Sequence, residues 1–121
     1  MNPYESYLKT GLETANLPKL ISMGYERIIL ELKAAIESIK NNDLKSKINH
    51  INKALDILLT LKTGLDFEKG GEIAQNLYEI YSFCEKQIML GNLKNDEEIL
   101  NEVINVLNTV REGWEELSSK V

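Results

Sequence analysis

Three kinds of side chain in this 121-residue sequence are equipped for chemistry: one histidine, one cysteine and nineteen carboxylates. His50 opens the run His50-Ile51-Asn52-Lys53-Ala54. A mid-helix histidine with a lysine three residues on suits phosphoryl transfer, because the ring nitrogen takes the phosphoryl group and the lysine holds its charge. A small residue after the lysine leaves room for a donor protein. The plainer reading is a histidine on the rim of a helix face. Cys84 falls at an apolar helical spacing, where a free cysteine acts as a small apolar filler, and no second histidine is present to form a nucleophilic Cys–His pair. One cysteine and one histidine cannot build a zinc site. Glu97-Glu98 and Glu115-Glu116 read as solvated helix charges, and Glu37, Glu79 and Glu102 lack the Glu-x-x-His partners of di-iron bundles. Gly70-Gly71 has no phosphate-cradling G-x-x-x-x-G-K-[ST] around it. The sequence therefore assigns no catalytic, cofactor-binding or metal-binding residue, and predicts a protein that is not an enzyme.

What remains is shape. Hydrophobic residues make up 43% and charged residues 27% of the chain, an ordinary balance for one globular domain. Prolines occur only at Pro3 and Pro18, so everything after Pro18 is free of the residue that breaks helices most strongly. Leu, Ile, Lys, Glu and Asn dominate that stretch, which excludes an all-β fold. The net charge of −5 has the wrong sign for gripping a phosphate backbone. No apolar run reaches the roughly 18 residues of a membrane span, and Met1–Gly11 lacks a signal-peptide pattern. These features predict a cytoplasmic chain in a reducing compartment, with no nucleic-acid partner and no membrane insertion.

Apolar spacing divides the chain into an N-terminal arm or short extra helix over 1–15 and four helices near 17–40, 44–63, 71–92 and 96–118. Asn16 and Pro18 mark the first start, and Asn41-Asn42-Asp43 the first stop and second start. The predicted inward stripes are Ile21, Tyr25, Ile28, Leu32, Ala35 and Ile39, then Leu44, Ile48, Ile51, Leu55 and Leu58. The third helix offers Ile73, Leu77, Tyr81, Cys84 and Ile88, and the fourth Ile99, Val103, Leu107, Val110 and Trp114. Gly64 and Gly91 are read as helix ends, Leu65 to Gly70 as a connector, and Asn95 with Glu98 as a capping box. Short links between four such helices predict an all-α, antiparallel four-helix bundle, one domain over 1–121.

These helices carry more apolar surface than one core requires. Ala54, Ile57 and Leu61 lie off the main face of the second helix, as do Ile80, Phe83 and Leu90 on the third and Met23, Leu30 and Ala34 on the first. Such stripes fit the wide apolar face of an ordinary bundle helix, stripes that meet each other, a homodimer seam, or a groove for an apolar partner helix, with Tyr4, Tyr7 and Leu8 of the arm as a shield for the empty groove.

Set in order, several short runs resemble the flagellar secretion chaperone FliS family over nearly the whole chain. They are Tyr7, Thr14-Ala15-Asn16, Leu20-Ile21, Met23-Gly24-Tyr25 and Asn52-Lys53-Ala54-Leu55-Asp56-Ile57, then Leu61 and Leu65-Asp66. The most specific is Gly70-Gly71-Glu72-Ile73-Ala74-Gln75-Asn76-Leu77, with Tyr81, Phe83 and Asn92-Leu93-Lys94-Asn95-Asp96 after it. Glu102-Val103-Ile104 and Arg111-Glu112-Gly113-Trp114 close the series. The sequence departs from the family pattern at Leu17-Pro18, at Gly24, where leucine is usual, and at Lys86-Gln87, where two arginines are common.

The resemblance implies an export chaperone that binds the disordered C-terminal region of flagellin, prevents its polymerisation in the cytosol and supports delivery to the flagellar type III export apparatus. On that footing the expected client surface is Asn52, Ala54, Ile57, Leu61, Asn76, Ile80, Phe83 and Leu90, with Tyr4, Tyr7 and Leu8 as a displaceable cap. The alternatives are a histidine phosphotransfer-like bundle using His50, in whose motif Asn52 and Ala54 replace leucine and glycine, and a structural helical dimer.

Overall fold

The computed structural model describes residues 17–120, with side chains over 19–116, and within that span it is an antiparallel bundle of four helices. Pro18 sits in the first turn of α1 (Leu17–Lys40), where its missing N–H leaves no bond unmade. Asn42 adopts the left-handed conformation with φ 55° and closes α1, and the Asp43 backbone N–H donates to the Ser38 carbonyl at 2.9 Å. Asp43 then caps α2 (Leu44–Thr63) by accepting from the Ser46 N–H at 3.1 Å. The expected bounds of both helices hold.

The third helix differs from expectation at both ends. Leu65 to Gly70 is not wholly a connector, because α3 (Phe67–Lys94) begins with a turn capped by Asp66, whose carboxylate accepts from the Lys69 N–H at 3.0 Å. Gly71 breaks the axis there with φ 51° and ψ −125°, a backbone state that glycine alone adopts without strain. Gly91 does not end the helix. Its role is close approach: a Cβ at Gly91 would lie 2.7 Å from Leu100 Cδ2, so the glycine lets α3 and α4 (Glu97–Lys120) meet. The helix runs on to Lys94 and stops at left-handed Asn95, φ 51°. Asp96, rather than Asn95, caps α4 by accepting from the Glu98 and Ile99 N–H groups at 2.9 and 3.3 Å.

The helices form a closed ring: α1 packs on α2 and α4, α3 packs on α2 and α4, and the two diagonal pairs do not touch along their backbones. Antiparallel order shows in the α1–α4 contacts, where Ser22 donates to Glu115, Arg111 pairs with Glu26 and Lys40 with Glu97. The core includes Ile28, Leu32, Ala35, Ile51, Leu58, Ala74, Cys84, Ile88, Val103 and Leu107. Two expected stripes are rotated. On α2 the buried line is Lys47, Ile51, Ala54 and Leu58, leaving Leu44 and Ile48 half in solvent. On α4 the buried line takes in Leu100 and Ile104, while Ile99 is half-buried.

Burial of Lys47 explains the rotation of α2. Its ammonium donates to the Asn92 carbonyl at 3.0 Å and to Asn95 Oδ1 at 2.5 Å, tying the start of α2 to the end of α3. Those acceptors sit at a helix C-terminus, where carbonyls lack helical partners and a cation is favoured. Lys47→Met should keep the stem's packing but leave the Asn92 carbonyl with only the long 3.4 Å bond from the Asn95 N–H, lowering stability by about 1–3 kcal/mol. Urea denaturation measures this, and an unchanged midpoint would show that the bond contributes nothing.

Candidate functional site

At the bundle end where α1 begins and α2 finishes, the ring opens into a cleft of about 350 Å³. Leu20, Ile21 and Gly24 of α1 form one lip, and Ile57, Thr60, Leu61 and Gly64 of α2 form the other, with Leu65 just beyond. Leu77 and Tyr81 of α3 and Trp114 of α4 make the floor. The lining is predominantly apolar, and Leu20 is 58% exposed at its rim.

Polar atoms beneath the floor are bonded to one another. Trp114 Nε1 donates to the Tyr25 hydroxyl at 2.9 Å, and the Tyr25 and Tyr81 hydroxyls share a short hydrogen bond across the ring. All three side chains are buried. The floor therefore offers flat apolar bodies whose polar tips point at each other, which preserves the cleft's apolar character.

A second, shallower groove of about 480 Å³ lies between α3 and α4, lined by Asn76, Glu79, Ile80, Phe83 and Val106. The expected client surface is thus divided between two places. Ile57 and Leu61 line the α1–α2 cleft, whereas Asn76, Ile80 and Phe83 line the α3–α4 groove on the other side of the ring. Asn52 is exposed and Leu90 half-buried, and neither lines either groove. Ala54 has to be corrected: it has 0% exposure in the core, because the rotated face of α2 turns its methyl inward. Tyr4, Tyr7 and Leu8 lie outside the described residues.

Sequence reasoning missed Leu20, Gly24, Thr60, Leu65 and Val106 as lining residues. Leu20 and Val106 carry a detectable signal, being apolar positions beside the main stripes. The other lining depends on which helices become neighbours.

His50 belongs to an α1–α2 brace two helical turns from the cleft. Its Nδ1 lies 2.7 Å from buried Glu31, whose other oxygen pairs with Arg27 at 2.9 Å. Burial pushes the Glu31 carboxyl up, but the His50 hydrogen bond and the charges of Arg27, His50 and Lys53 outweigh it and hold the group below its usual range. The small residue after Lys53 is the buried Ala54, so it opens no surface for a phosphoryl donor. Burial, with help from Glu102, raises the Cys84 thiol to about 12, which keeps it protonated and inert at neutral pH. Among the described residues no cluster of potential metal ligands occurs, and no helix is long and apolar enough to cross a membrane.

Comparison with known proteins finds relatives along the whole chain. The family model described as flagellar protein FliS matches residues 1–121. The flagellar secretion chaperone FliS of Campylobacter jejuni is 34% identical over 114 residues, covering 94% of this chain and 89% of the relative. Its counterpart in Salmonella typhimurium is 33% identical over 121 residues, covering 96% and 90%. That of Bacillus subtilis is 26% identical over 115 residues, covering 95% and 85%.

The Glu31 brace has a calculable pH signature. A carboxyl held below its ordinary value contributes stability above about pH 4.5 that is lost as pH falls through the folded-state value. Glu31→Gln should therefore be less stable than the parent at about pH 6, and the gap should narrow as pH falls below 4.5. Urea midpoints above and below that pH test this, and a gap that does not narrow would mean the carboxylate's charge plays no part.

Proposed function

The chain belongs to the flagellar protein FliS family, and from that premise we propose that it is a flagellin export chaperone acting in the cytoplasm. Its client is the disordered C-terminal region of flagellin, which it keeps from polymerising and passes to the flagellar type III export apparatus. The observation that carries this reading is the apolar cleft between α1 and α2, open among the described residues, with core side chains as its floor and half-buried apolar residues as its lips.

The physical route runs through coupled folding. A disordered segment gains helix by laying an apolar face into a groove, at a cost of roughly 2–5 kcal/mol for its ordering. Ile57 and Leu61 serve one groove and Ile80 and Phe83 the other, with Asn76 as a polar anchor for client backbone and Asn52 and Leu90 as outlying contacts. A client surface covered in this way cannot pack into a filament. The mechanism needs no covalent step. Tyr4, Tyr7 and Leu8 are proposed as a cap displaced by the client.

Ile57→Asp puts a charge on the lip of the cleft, and its desolvation should weaken binding of a flagellin C-terminal segment at least about tenfold, equal to some 1.4 kcal/mol. Titration calorimetry reads the affinity, with circular dichroism to confirm that the helices persist. Unchanged affinity would remove the α1–α2 cleft from the client surface. Deleting residues 1–12 should raise the fluorescence of an apolar-surface dye while unfolding stays cooperative, and a flat signal would dispose of the cap.

A further inference from the structure

Gly24 stands in the interior of α1, a position where glycine weakens a helix relative to alanine. Among the described residues, no close packing contact requires it. A Cβ built at Gly24 would lie 3.5 and 3.6 Å from the two methyls of Leu61 and 3.8 Å from Ile57 Cγ2, ordinary contacts with no clash. This contrasts with Gly91, where a Cβ would strike Leu100 at 2.7 Å and packing alone accounts for the residue. What Gly24 does instead is leave a gap in the lip of the cleft, directly opposite Leu61 and Ile57. The gap is walled by methyl groups and lies above an apolar floor of Tyr81 and Trp114. It has no charged lining residue, so it suits neither an anion nor a cation.

We propose that Gly24 forms a socket in the α1–α2 cleft that receives one large aliphatic or aromatic side chain from the helical client, making Gly24 a specificity-determining position. The inference rests on the client reading above and adds to it the size and chemistry of one anchor. A helix docking in the cleft brings a single bulky side chain against the bare α1 backbone, where its contact area is greatest. A client with a small residue at that point leaves the socket unfilled and binds more weakly.

The test uses the full chain and the C-terminal segment of flagellin from the same organism, in titration calorimetry. Gly24→Leu fills the socket from within and should weaken binding about tenfold, the loss expected when one large apolar anchor is excluded. Gly24→Ala introduces a methyl that fits, so it should raise the urea midpoint while weakening binding by a smaller factor, about threefold. That pair keeps the proposal testable should leucine disturb the fold. In a scan of the segment's large apolar residues to alanine, one substitution should weaken binding to the parent about tenfold yet make little further difference to Gly24→Leu, the signature of a direct contact.

Parent-like affinity for both Gly24 variants would overturn the socket, as would a scan in which every substitution acts equally on parent and variant. Ile57→Asp, run in parallel, separates this from failure of the broader reading. If Ile57→Asp weakens binding while the Gly24 variants do not, the cleft binds the client and only the socket falls. If the segment fails to bind the parent chain at all, the client reading falls and the socket with it.

Discussion

The hydrogen-bonded cluster of Trp114, Tyr25 and Tyr81 is the constraint on which the open end of the bundle depends. Three large side chains from α4, α1 and α3 meet there, and their polar tips are buried. A hydrogen bond between buried groups contributes roughly 0.5–1.5 kcal/mol net, so the two bonds favour the rings in mutual register. That register links α1 to α4 along the ring and to α3 across it, at a point where the diagonal helices make no backbone contact. The tilted Tyr25 and Tyr81 rings pack with centroids 6.2 Å apart. A floor held this way resists collapse of the cleft, because displacing Tyr25 would break both hydrogen bonds at once.

The opposite end is held by another device. Lys47 joins α2 to the C-terminus of α3, and Gly91 brings α3 onto Leu100 of α4. Between the ends, Glu31 and His50 pin α1 to α2. Polar ties therefore join neighbouring helices at points away from the cleft. Lips of half-buried residues such as Ile57 and Leu61 are thus carried on helices anchored elsewhere.

Helix content, the bounds of α1 and α2 and the composition of most of the core were legible in the sequence, because proline placement and period-3.6 spacing report directly on local backbone and on one buried face. What escaped was anything decided between helices. Gly91 looks like a terminator in one dimension and is a contact surface in three. Asn95 and Asp96 are adjacent and both suited to caps, and only the left-handed turn at Asn95 assigns one to each helix. The α2 stripe was misplaced because a buried lysine carries no apolar signal, and the face it belongs to includes Ala54 in the core. The site followed the same rule. Surplus apolar residues were visible as a quantity, but the ring order that sends Ile57 and Phe83 to different grooves was not.

That division limits what kind of client fits. The two grooves use different helix pairs, α1–α2 and α3–α4, which lie on opposite sides of a closed ring. A rigid partner with one flat face can cover either groove but not both. A chain that is unfolded before binding can place one amphipathic segment in the first groove, cross the bundle surface and place another in the second. On the proposed reading, the two contacts then reinforce each other through effective concentration, so neither has to be tight alone. An export chaperone must release its client, and a contact split into separable halves can be undone one groove at a time. The same surface on a single continuous interface would need to break all at once. The position of the grooves, more than their area, is what favours a disordered client over a folded one.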